Sequence, residues 1–418
     1  MYGLNTEPPL IMHIDLNSAF ATMEQQAHFS LRGVPVGVTN RKVTNYSCVI
    51  ACSYEAKAKG VKVGMRYGDA KLLCPNLVML ESDPPKYHHA YKKLVAIMQD
   101  YSPNIQMKSI DEGIIDFHGT TNTINTRPLV EIGHEIKDRV RRELGDWVRV
   151  NIGIGPNRFL AKQAAGLHKP DGLDVIYHKN LIKVFRSLKL TDLTGIASHF
   201  EARLNAAGIF TPLEFLQAKP ELLRRVVFKS VIGLDWHQRL RGFEVDNNPT
   251  RLGHIGRQFV MDKPSADDDV LLTRFHYLCE TTGKKLRYNN VDARGVWVWL
   301  HFQTGDGWYQ RKMFKQTFHT DHDIYERALY LFNQRPKHLI VQALGVTCYE
   351  LTPSNRSQIS LMDSVNKEEW LTEAVDTIND RYGSFAVHSA GSLEGKRVVK
   401  QKIPFGGTRY FELLLKRA

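Results

Sequence analysis

The chain has few cysteines and no long apolar run. Only 5 of its 418 residues are cysteine. Cys48 and Cys52 lie in an apolar run and are not interpreted as a zinc site, so we expect buried free thiols in a reducing compartment. No stretch reaches the roughly eighteen apolar residues of a membrane span, and no secretory signal opens the chain. These absences exclude a membrane-spanning protein and indicate a soluble, cytoplasmic one with no membrane partner.

Acidic side chains are in the minority. The chain carries 56 Lys+Arg against 44 Asp+Glu, which gives a net charge of +12. Such a surplus favours polyanionic partners, although a merely basic soluble enzyme would show the same count. The hydrophobic content of 43% and the charged content of 24% are those of globular proteins. The length suffices for about two to four domains with separate cores.

The pattern of apolar residues predicts an α+β protein. Up to about residue 175, strand-like runs alternate with amphipathic helices, and from about 177 to 242 only short helices are expected. A polar, proline-containing linker follows at residues 246–250. Beyond it, strands at Val296–Phe302 and Ile340–Cys348 flank a helix at Asp323–Asn333. These elements predict a second, separate α+β domain.

Three acidic residues close short, strand-like apolar runs. Asp15 ends one such run, and the adjacent pair Asp111 and Glu112 lies at the turn of an expected hairpin. A carboxylate at the end of a buried strand is costly unless something neutralises it. Together with the backbone carbonyl of Leu16, these carboxylates would form an oxygen-rich site suited to Mg²⁺, and paired metals of that kind drive nucleotidyl transfer. Taken alone, such a pair is more often a solvated turn, and Asp116 nearby is expected to support the site rather than bind metal.

Two further segments could hold phosphate. Residues 153–162 predict a strand, a Gly-Pro turn and a helix that begins at Asn157, with Lys162 early on that helix, where the dipole favours anions. Tyr54 and Lys57 would share one face of a short helix and could hold phosphate oxygens. Read singly, both lysines are ordinary surface residues.

Residues 193–209 fit a helix-hairpin-helix pattern. Its turn, at Gly195 and Ala197, would present backbone N–H groups to a phosphate without reading bases. An ordinary pair of antiparallel helices is the alternative.

Taken together, these motifs resemble those of a Y-family translesion DNA polymerase, in the group of DNA polymerase IV and the polymerase V catalytic subunit. The segments Ile14–Glu24, Tyr54–Gly64, Ser109–Glu112 and Asn157–Gly172 follow the family's order and spacing. The resemblance covers about residues 10–350. It implies an α+β, right-hand fold with a palm at 10–24 and 84–175, small fingers at 25–83 and a helix-hairpin-helix thumb at 176–245. A little finger at 250–355 and a C-terminal extension at 356–418 complete it.

The resemblance also implies a metal site. Asp15, Asp111, Glu112 and the Leu16 carbonyl would bind two Mg²⁺ ions, with Mn²⁺ as a substitute. One ion would activate the primer 3′-hydroxyl, and the other would hold the triphosphate and the leaving pyrophosphate. A fingers segment of this size would make few contacts with the nascent base pair. In the family, such an open active site is associated with low-fidelity copying of damaged templates.

Nucleotide and DNA contacts follow from the same resemblance. Tyr54, Lys57 and Lys162 would contact the incoming deoxynucleoside triphosphate (dNTP). Phe20 would be the steric gate that excludes a ribose 2′-hydroxyl, whereas without the family it is simply a helix residue packing into a core. In the little finger, basic strand residues would follow the phosphates of primer-template DNA or lie on a solvated strand face; they include Arg251 and Arg257.

Three positions depart from the family pattern. Asn17 stands where many members have aspartate, Lys57 where arginine is usual, and Gly113 where a residue with a side chain is commoner. None of them is an expected metal ligand, but the lysine puts a bidentate phosphate contact in doubt.

The tail contains a short motif. The residues Gln358, Ile359, Ser360, Leu361 and Met362 resemble the pentapeptide that binds the bacterial sliding clamp, with methionine in place of the usual final phenylalanine. The function expected for the chain is a monomeric, template-directed polymerase of lesion bypass. The alternatives are a catalytically silent DNA-binding relative and a nucleotidyl cyclase with the same two-metal site.

Overall fold

The computed structural model describes residues 3–40, 42–120, 127–247, 252–354, 363–383 and 385–399. The chain divides into two compact units between Asn248 and Pro249, inside the stretch expected to be a linker. Among the described helices, none is long and apolar enough to cross a membrane.

A five-stranded sheet organises the first unit, in the order β5-β6-β1-β7-β8. Its strands are β1 Ile11–Leu16, β5 Ile105–Met107, β6 Glu112–Asp116, β7 Val150–Gly155 and β8 Leu173–Val175. All neighbours are antiparallel except β7 and β8. Strand β1 lies at the centre and is buried along nearly its whole length, as expected for a strand covered on both faces.

Helices cover both faces of this sheet. They are α1 Ala19–Ala27, α4 Pro84–Gln99, α5 Leu129–Leu144 and α6 Arg158–Leu167. The largest apolar cluster joins Met12, Ile14 and Ile152 of the sheet to side chains of α1, α4 and α5. On the other face, Ala161 of α6 packs against Ile11 and Ile114. Alternate residues of β1 therefore face either the main core or helix α6.

A smaller three-stranded sheet follows α1, in the order β3-β2-β4. Its elements are β2 Val36–Thr39, β3 Ala51–Cys52, α2 Tyr54–Ala58, α3 Tyr67–Leu73 and β4 Val78–Glu81. It has an apolar cluster of its own, built from Val49, Cys52, Val61 and their neighbours. Ser53 caps α2 by accepting a hydrogen bond from the Ala56 amide, which fixes where that helix begins.

Residues 181–240 form short helices, as predicted. They are α7 Leu181–Ser187, α8 Ser198–Ala206, α9 Pro212–Gln217, α10 Pro220–Leu222 with the π-helical turn Leu223–Val227, and α11 Ile232–Leu240. A third apolar cluster joins them, with Phe215, Phe228 and Trp236 at its centre. Thr211 and Glu214 form a capping box at the start of α9, the reciprocal pair that begins many helices.

The second unit is built on a four-stranded antiparallel sheet, in the order β11-β10-β12-β9. Its strands are β9 His254–Ser265, β10 Val291–Phe302, β11 Gly307–Phe318 and β12 Val341–Pro353. Helices α12 Asp268–Tyr288 and α13 Asp321–Phe332 pack on one face, where Phe275, Val298 and Phe332 lie in a fourth apolar cluster. Both strands and the helix expected here from sequence are present, whereas α12 was not expected.

Two C-terminal helices also pack on the second unit. They are α14 Asp363–Tyr382 and α15 Leu393–Val398. The buried Arg287 of α12 forms ion pairs with Asp321 of α13 and with Asp376 of α14. A Cβ added at Gly395 of α15 would lie 2.5 Å from the backbone of Thr273. The described part of the C-terminal extension is therefore integral to this unit.

One local expectation was wrong. All five cysteines are free, but Cys48 is exposed and not buried. Ser18, directly before α1, has a left-handed backbone with φ 50°, and its side chain makes no capping bond to that helix. Its hydroxyl instead accepts a hydrogen bond from Lys57.

Candidate active site

The sheet register brings the acidic strand ends together. Asp15 of β1 lies directly opposite Glu112 of β6, and the Leu16 amide donates to the Asp111 carbonyl at 2.9 Å. Opposed residues on antiparallel strands point to the same face. Because Asp111 directly precedes Glu112, all three carboxylates lie at one end of the central strands, as the sequence predicted.

Basic groups neutralise this acidic cluster. The Lys162 ammonium donates to both oxygens of Glu112, at 2.9 and 3.0 Å, and the Lys169 ammonium donates to Asp15. The buried His13 ring contacts Glu112 at 3.2 Å between Nε2 and Oε2. His13 and Asp15 alternate with core residues on β1, so they face the same side as helix α6.

Two neighbouring carboxylates have opposite pKa shifts. Burial raises the pKa of Asp111, and the charges of Asp15 and Glu112 raise it further. Burial would raise the pKa of Glu112 as well, but the hydrogen bonds from His13 and Lys162 outweigh it and lower that pKa to about 2. Glu112 is therefore held as an anion. Asp111 accepts a hydrogen bond from the Ser109 hydroxyl at 2.5 Å but, among the described residues, pairs with no lysine or arginine, so its charge would gain most from an added cation.

Two glycines set the height of helix α6 above the sheet. A Cβ at Gly153 would lie 2.0 Å from the Ala161 carbonyl oxygen and 2.1 Å from the Ala165 amide nitrogen, and one at Gly155 would lie 2.6 Å from the Ala161 amide. The helix backbone thus rests on strand backbone, which only glycine permits. The Asn157 side chain starts the helix by accepting from the Leu160 amide at 2.8 Å. This close approach carries Lys162 over Glu112.

A pair of asparagines positions the loop that carries Lys169. Asn17 donates to Asn151 at 2.9 Å and accepts from the Asp171 amide at 2.8 Å. Asn151 in turn donates to the His168 carbonyl at 3.0 Å. Both side chains are almost fully buried. Asn17 therefore holds the Lys169 loop and is a structural contact, which accounts for an amide where a carboxylate is common.

Tyr54 and Lys57 meet at the start of α2, near Asp15. The Lys57 ammonium donates to the Ser18 hydroxyl at 2.8 Å and lies 4.7 Å from the centre of the Tyr54 ring. Burial, followed by the charge of Asp15, raises the pKa of Tyr54 to about 12. At neutral pH this group is therefore a neutral hydroxyl that can donate a hydrogen bond to an anion.

Phe20 lies in the core of the first unit. Its side chain is 3% exposed, and its ring stacks on Tyr87 with centroids 4.3 Å apart and planes 12° apart. The Tyr87 hydroxyl donates to Glu24 at 2.7 Å. Packing of Phe20 into a core is thus observed, while its role as a steric gate stays a prediction.

The donor set fits a hard divalent cation, although its side chains are not arranged around one. Among the described residues, no group of three His, Cys, Asp or Glu side chains is positioned to hold a metal ion, and Lys162 and Lys169 pair with Glu112 and Asp15. Carboxylate oxygens at adjoining strand ends are the ligands Mg²⁺ prefers. Rotation of these carboxylates away from their lysines would be needed to bring the oxygens together.

Other residues predicted for the site lie elsewhere. Asp116, at the end of β6 away from Glu112, pairs with Arg158 at 3.5 Å and with the His118 ring at 2.7 Å. It forms a local ion pair, and its support of the metal site stays a prediction. Gly113 faces helix α4, where a side chain would press on Met98 and Met107.

The predicted DNA contacts are only partly within the described residues. Gly195 and Ala197 lie exposed in the turn before α8, Gly195 has a φ of 94°, and no side chain caps that helix. Arg257 lies on β9. Arg251 and the segment 358–362 fall outside the described residues.

Sequence reasoning missed His13, Asn151 and Lys169. Lys169 lies inside the segment Asn157–Gly172, but nothing in the spacing of that segment shows that Lys169 reaches Asp15. Histidine two residues before Asp15 was a usable signal, since alternate residues of a strand share a face.

A largely antiparallel sheet with acidic strand ends and lysines set against them is typical of the palm of right-hand nucleic acid polymerases. Comparison with known proteins identifies the family. Residues 14–166 match the impB/mucB/samB family model and residues 254–361 match its C-terminal domain. The chain is 30% identical to DNA polymerase IV of Moorella thermoacetica over 93% of its length and 97% of the relative's, and 26% identical to DNA polymerase IV 1 of Bacillus subtilis over 92% and 93%.

Solved structures agree on the fold. A Y-family DNA polymerase chimera based on Dbh matches with a TM-score of 0.70 at 22% identity, covering 82% of this chain and 98% of the other. An insertion ternary complex of Dbh DNA polymerase matches with a TM-score of 0.55 at 23% identity, covering 81% and 98%. The chain therefore belongs to the impB/mucB/samB family of Y-family translesion polymerases. It is a DNA-directed DNA polymerase of translesion synthesis. The polymerases of this family use divalent metals. No comparison supports the alternative of a catalytically silent relative.

Proposed function

We propose that the chain adds deoxynucleotides to a primer 3′ end at the cluster of Asp15, Asp111 and Glu112, with the Leu16 carbonyl as a further ligand and two Mg²⁺ ions, or Mn²⁺ in their place, bound there. The observation that carries this proposal is the register that sets Asp15 against Glu112, beside Asp111. When bound, such a metal pair activates the attacking hydroxyl and stabilises charge on the transferring phosphate.

The chain's own cations would hold the nucleotide. Lys162 and Lys169 lie against the acidic cluster, so their ammonium groups would be available to triphosphate oxygens once a metal ion replaced them as partners of the carboxylates. Tyr54 and Lys57 border the same cluster through Ser18 and Asp15. A hydroxyl and an ammonium there would orient the triphosphate by hydrogen bonds. Phe20, fixed by its stack on Tyr87, would limit space at the sugar.

Separate apolar clusters support the proposed domains. The palm would be residues 10–24 and 84–175, the fingers 25–83, the thumb 176–245 and the little finger 250–355, joined by a linker at 246–250. The main sheet, the small sheet, the short helices and the second unit each have a cluster of their own. The C-terminal extension begins at 356.

Primer-template DNA and dNTP are the proposed substrates. Two of the solved structures similar to this chain are ternary complexes of Dbh, and one of them is an insertion complex. In this chain, the exposed turn at Gly195 and Ala197 would hold duplex phosphates by backbone N–H groups, and Arg251 and Arg257 would follow the backbone in the little finger. We further propose that the enzyme works as a cytoplasmic monomer.

Primer extension on a recessed template, with and without an abasic site, tests the metal assignment. The wild-type chain should extend with Mg²⁺, and the double variant Asp111→Ala with Glu112→Ala should not. A matched control is Glu368→Ala with Glu369→Ala, another adjacent acidic pair, which should extend normally. Extension by the first variant would refute the assignment, and a wild-type chain that binds DNA but extends nothing would favour a silent relative.

The clamp motif needs a separate test. We propose that residues 358–362 bind a bacterial sliding clamp through a few apolar anchors. Deletion of Gln358–Met362 should abolish stimulation by the clamp and spare basal extension. Stimulation that survives the deletion would refute this contact.

A further inference from the structure

Lys108 lies at one edge of the five-stranded sheet, beside the acidic cluster. It directly follows β5, which is an edge strand of that sheet. Met107 lies opposite Gly113, and the Lys108 amide donates to the Glu112 carbonyl at 2.9 Å. Lys108 is therefore opposed to Glu112, and opposed residues of antiparallel strands point to the same face. Because Glu112 in turn lies opposite Asp15, one row across the sheet runs through Lys108, Glu112 and Asp15.

Lys108 differs from the other lysines at the acidic cluster in having no carboxylate partner. Lys162 pairs with Glu112, and Lys169 pairs with Asp15. Within the part of the chain that the structure describes, the Lys108 ammonium forms no salt bridge, although its side chain is half-buried. A lysine usually keeps its charge in open water or beside a carboxylate, so this placement is unusual.

The surroundings of Lys108 leave its charge poorly compensated. Burial lowers the pKa of Lys108, and the positive charge of Arg158 lowers it further, while nearby carboxylates only partly oppose this. Two of those carboxylates are already paired, Glu244 with Arg158 at 2.8 Å and Asp246 with Arg239 at 2.5 Å. Partial burial of a cation without an ion pair costs free energy, which an arriving anion would recover. The position of Lys108 therefore favours an added anion.

The proposed nucleotide contacts of α2 gather at the other end of the row. Burial, followed by the charge of Asp15, raises the pKa of Tyr54, and the Lys57 ammonium lies 4.7 Å from the centre of the Tyr54 ring. In nucleotidyl transfer the primer 3′-oxygen loses its proton to water and bonds to the α-phosphorus, as the bond from that phosphorus to pyrophosphate breaks. The attacking and leaving oxygens lie in line, on opposite sides of the phosphorus. A triphosphate held on the Asp15 side therefore brings the primer in from the Glu112 side, where Lys108 lies.

We propose that Lys108 binds the phosphate of the last internucleotide linkage of the primer strand, and so holds the primer 3′-hydroxyl in line with the α-phosphorus. A hydrogen bond from an ammonium to a phosphate is charge-assisted, and a fixed attacking group gains from its orientation. The proposal rests on the proposed reaction at Asp15, Asp111 and Glu112. It assigns the attacking side of that reaction, which the proposed metal ligands and triphosphate contacts leave without a cation of its own.

Primers that carry one neutral methylphosphonate linkage test this contact. Binding of primer-template to the full chain is measured by fluorescence anisotropy, with a 3′-dideoxy primer and no dNTP, so that no chemistry is needed. A methylphosphonate at the last linkage should weaken wild-type binding about tenfold, because a charge-assisted hydrogen bond is lost. Lys108→Gln should bind the ordinary primer about tenfold more weakly and lose nothing further with the methylphosphonate. Lys108→Arg keeps a cation and should keep the penalty.

Two controls separate this contact from general loss of charge. A methylphosphonate at the fourth linkage from the 3′ end should weaken wild type and Lys108→Gln by the same factor. Lys93→Gln removes an exposed lysine of α4, the helix on the opposite face of the sheet, and should leave the methylphosphonate penalty unchanged. In single-nucleotide extension, the KM for dNTP should stay within about twofold of wild type in Lys108→Gln.

Two results would overturn the proposal. One is a last-linkage penalty in Lys108→Gln as large as that in wild type. The other is a raised KM for dNTP with unchanged primer binding, which would assign Lys108 to the triphosphate instead. Extension by the double variant Asp111→Ala with Glu112→Ala would refute the metal assignment alone, because the methylphosphonate penalty is measured without chemistry.

Discussion

Replacing Gly153 by alanine should lift helix α6 from the sheet and take Lys162 away from Glu112. The added methyl group would meet backbone atoms of Ala161 and Ala165 at 2.0 and 2.1 Å. Those atoms cannot rotate away, so the whole helix has to move. Overpacking of this kind costs about 1–3 kcal/mol, and we expect the upper end.

At about 3 kcal/mol, the melting temperature of the first unit should fall by about 6–12 °C. Thermal unfolding measures this loss, and primer extension well below the melting temperature measures the displacement of Lys162. We expect the extension rate of the folded variant to fall as well, because the lysine would no longer lie within hydrogen-bond distance of the site.

Gly166→Ala is the matched control on the same helix. Gly166 is exposed, and nothing lies within 4 Å of its added Cβ. Alanine is the better helix former by about 0.5–1 kcal/mol, so this variant should be as stable as wild type or slightly more so. A Gly153→Ala variant with unchanged melting and extension would refute the argument that strand–helix contact positions Lys162.

Other variants test the remaining contacts. Phe20→Ala should increase ribonucleotide incorporation and cost about 3–5 kcal/mol, because it empties a buried site beside Tyr87; unchanged sugar selectivity in folded protein would remove the gate role. Burial, followed by repulsion from Arg257, lowers the pKa of Lys285 to about 8, so the folded unit gains stability as pH rises from about 8 towards the ordinary lysine pKa near 10.4. Lys285→Met should therefore melt above wild type at pH 7, with a difference that shrinks by pH 10; a pH-independent difference would contradict this. Arg287→Met should cost about 3–5 kcal/mol by leaving Asp321 and Asp376 unpaired, whereas the exposed pair at Arg397 should tolerate the same change; equal melting of the two variants would count against the bridge.

Local sequence patterns predicted the residues of the acidic cluster better than the contacts that surround it. The strand ends at Asp15 and Glu112 were foreseeable because each closes an apolar run, and their meeting follows from one antiparallel register. The start of α6 was foreseeable from Asn157 and the Gly-Pro turn. The role of Asn17 was not, because its partners Asn151 and Asp171 lie far along the chain, and spacing carries no information about such contacts.

Some features of the second unit could not be predicted from the pattern of apolar residues. Strands β10 and β12 are strongly apolar and were expected, but α12 buries polar and charged residues such as Glu280 and Arg287, which weaken its apolar pattern. The packing on the exposed face of the four-stranded sheet was equally hard to predict. Gly295 and Gly345 read as strand breakers until Tyr349 and Trp299 are seen to lie on them.

The lysines at the acidic cluster affect whether the polypeptide needs a metal ion in order to fold. A zinc finger stays unfolded until its ion arrives, because metal binding supplies most of its folding free energy. Here Lys162 and Lys169 already act as resident counter-ions for Glu112 and Asp15. A newly made chain can thus complete this domain in a magnesium-poor environment, and chelation by EDTA should silence the enzyme while its melting curve hardly moves.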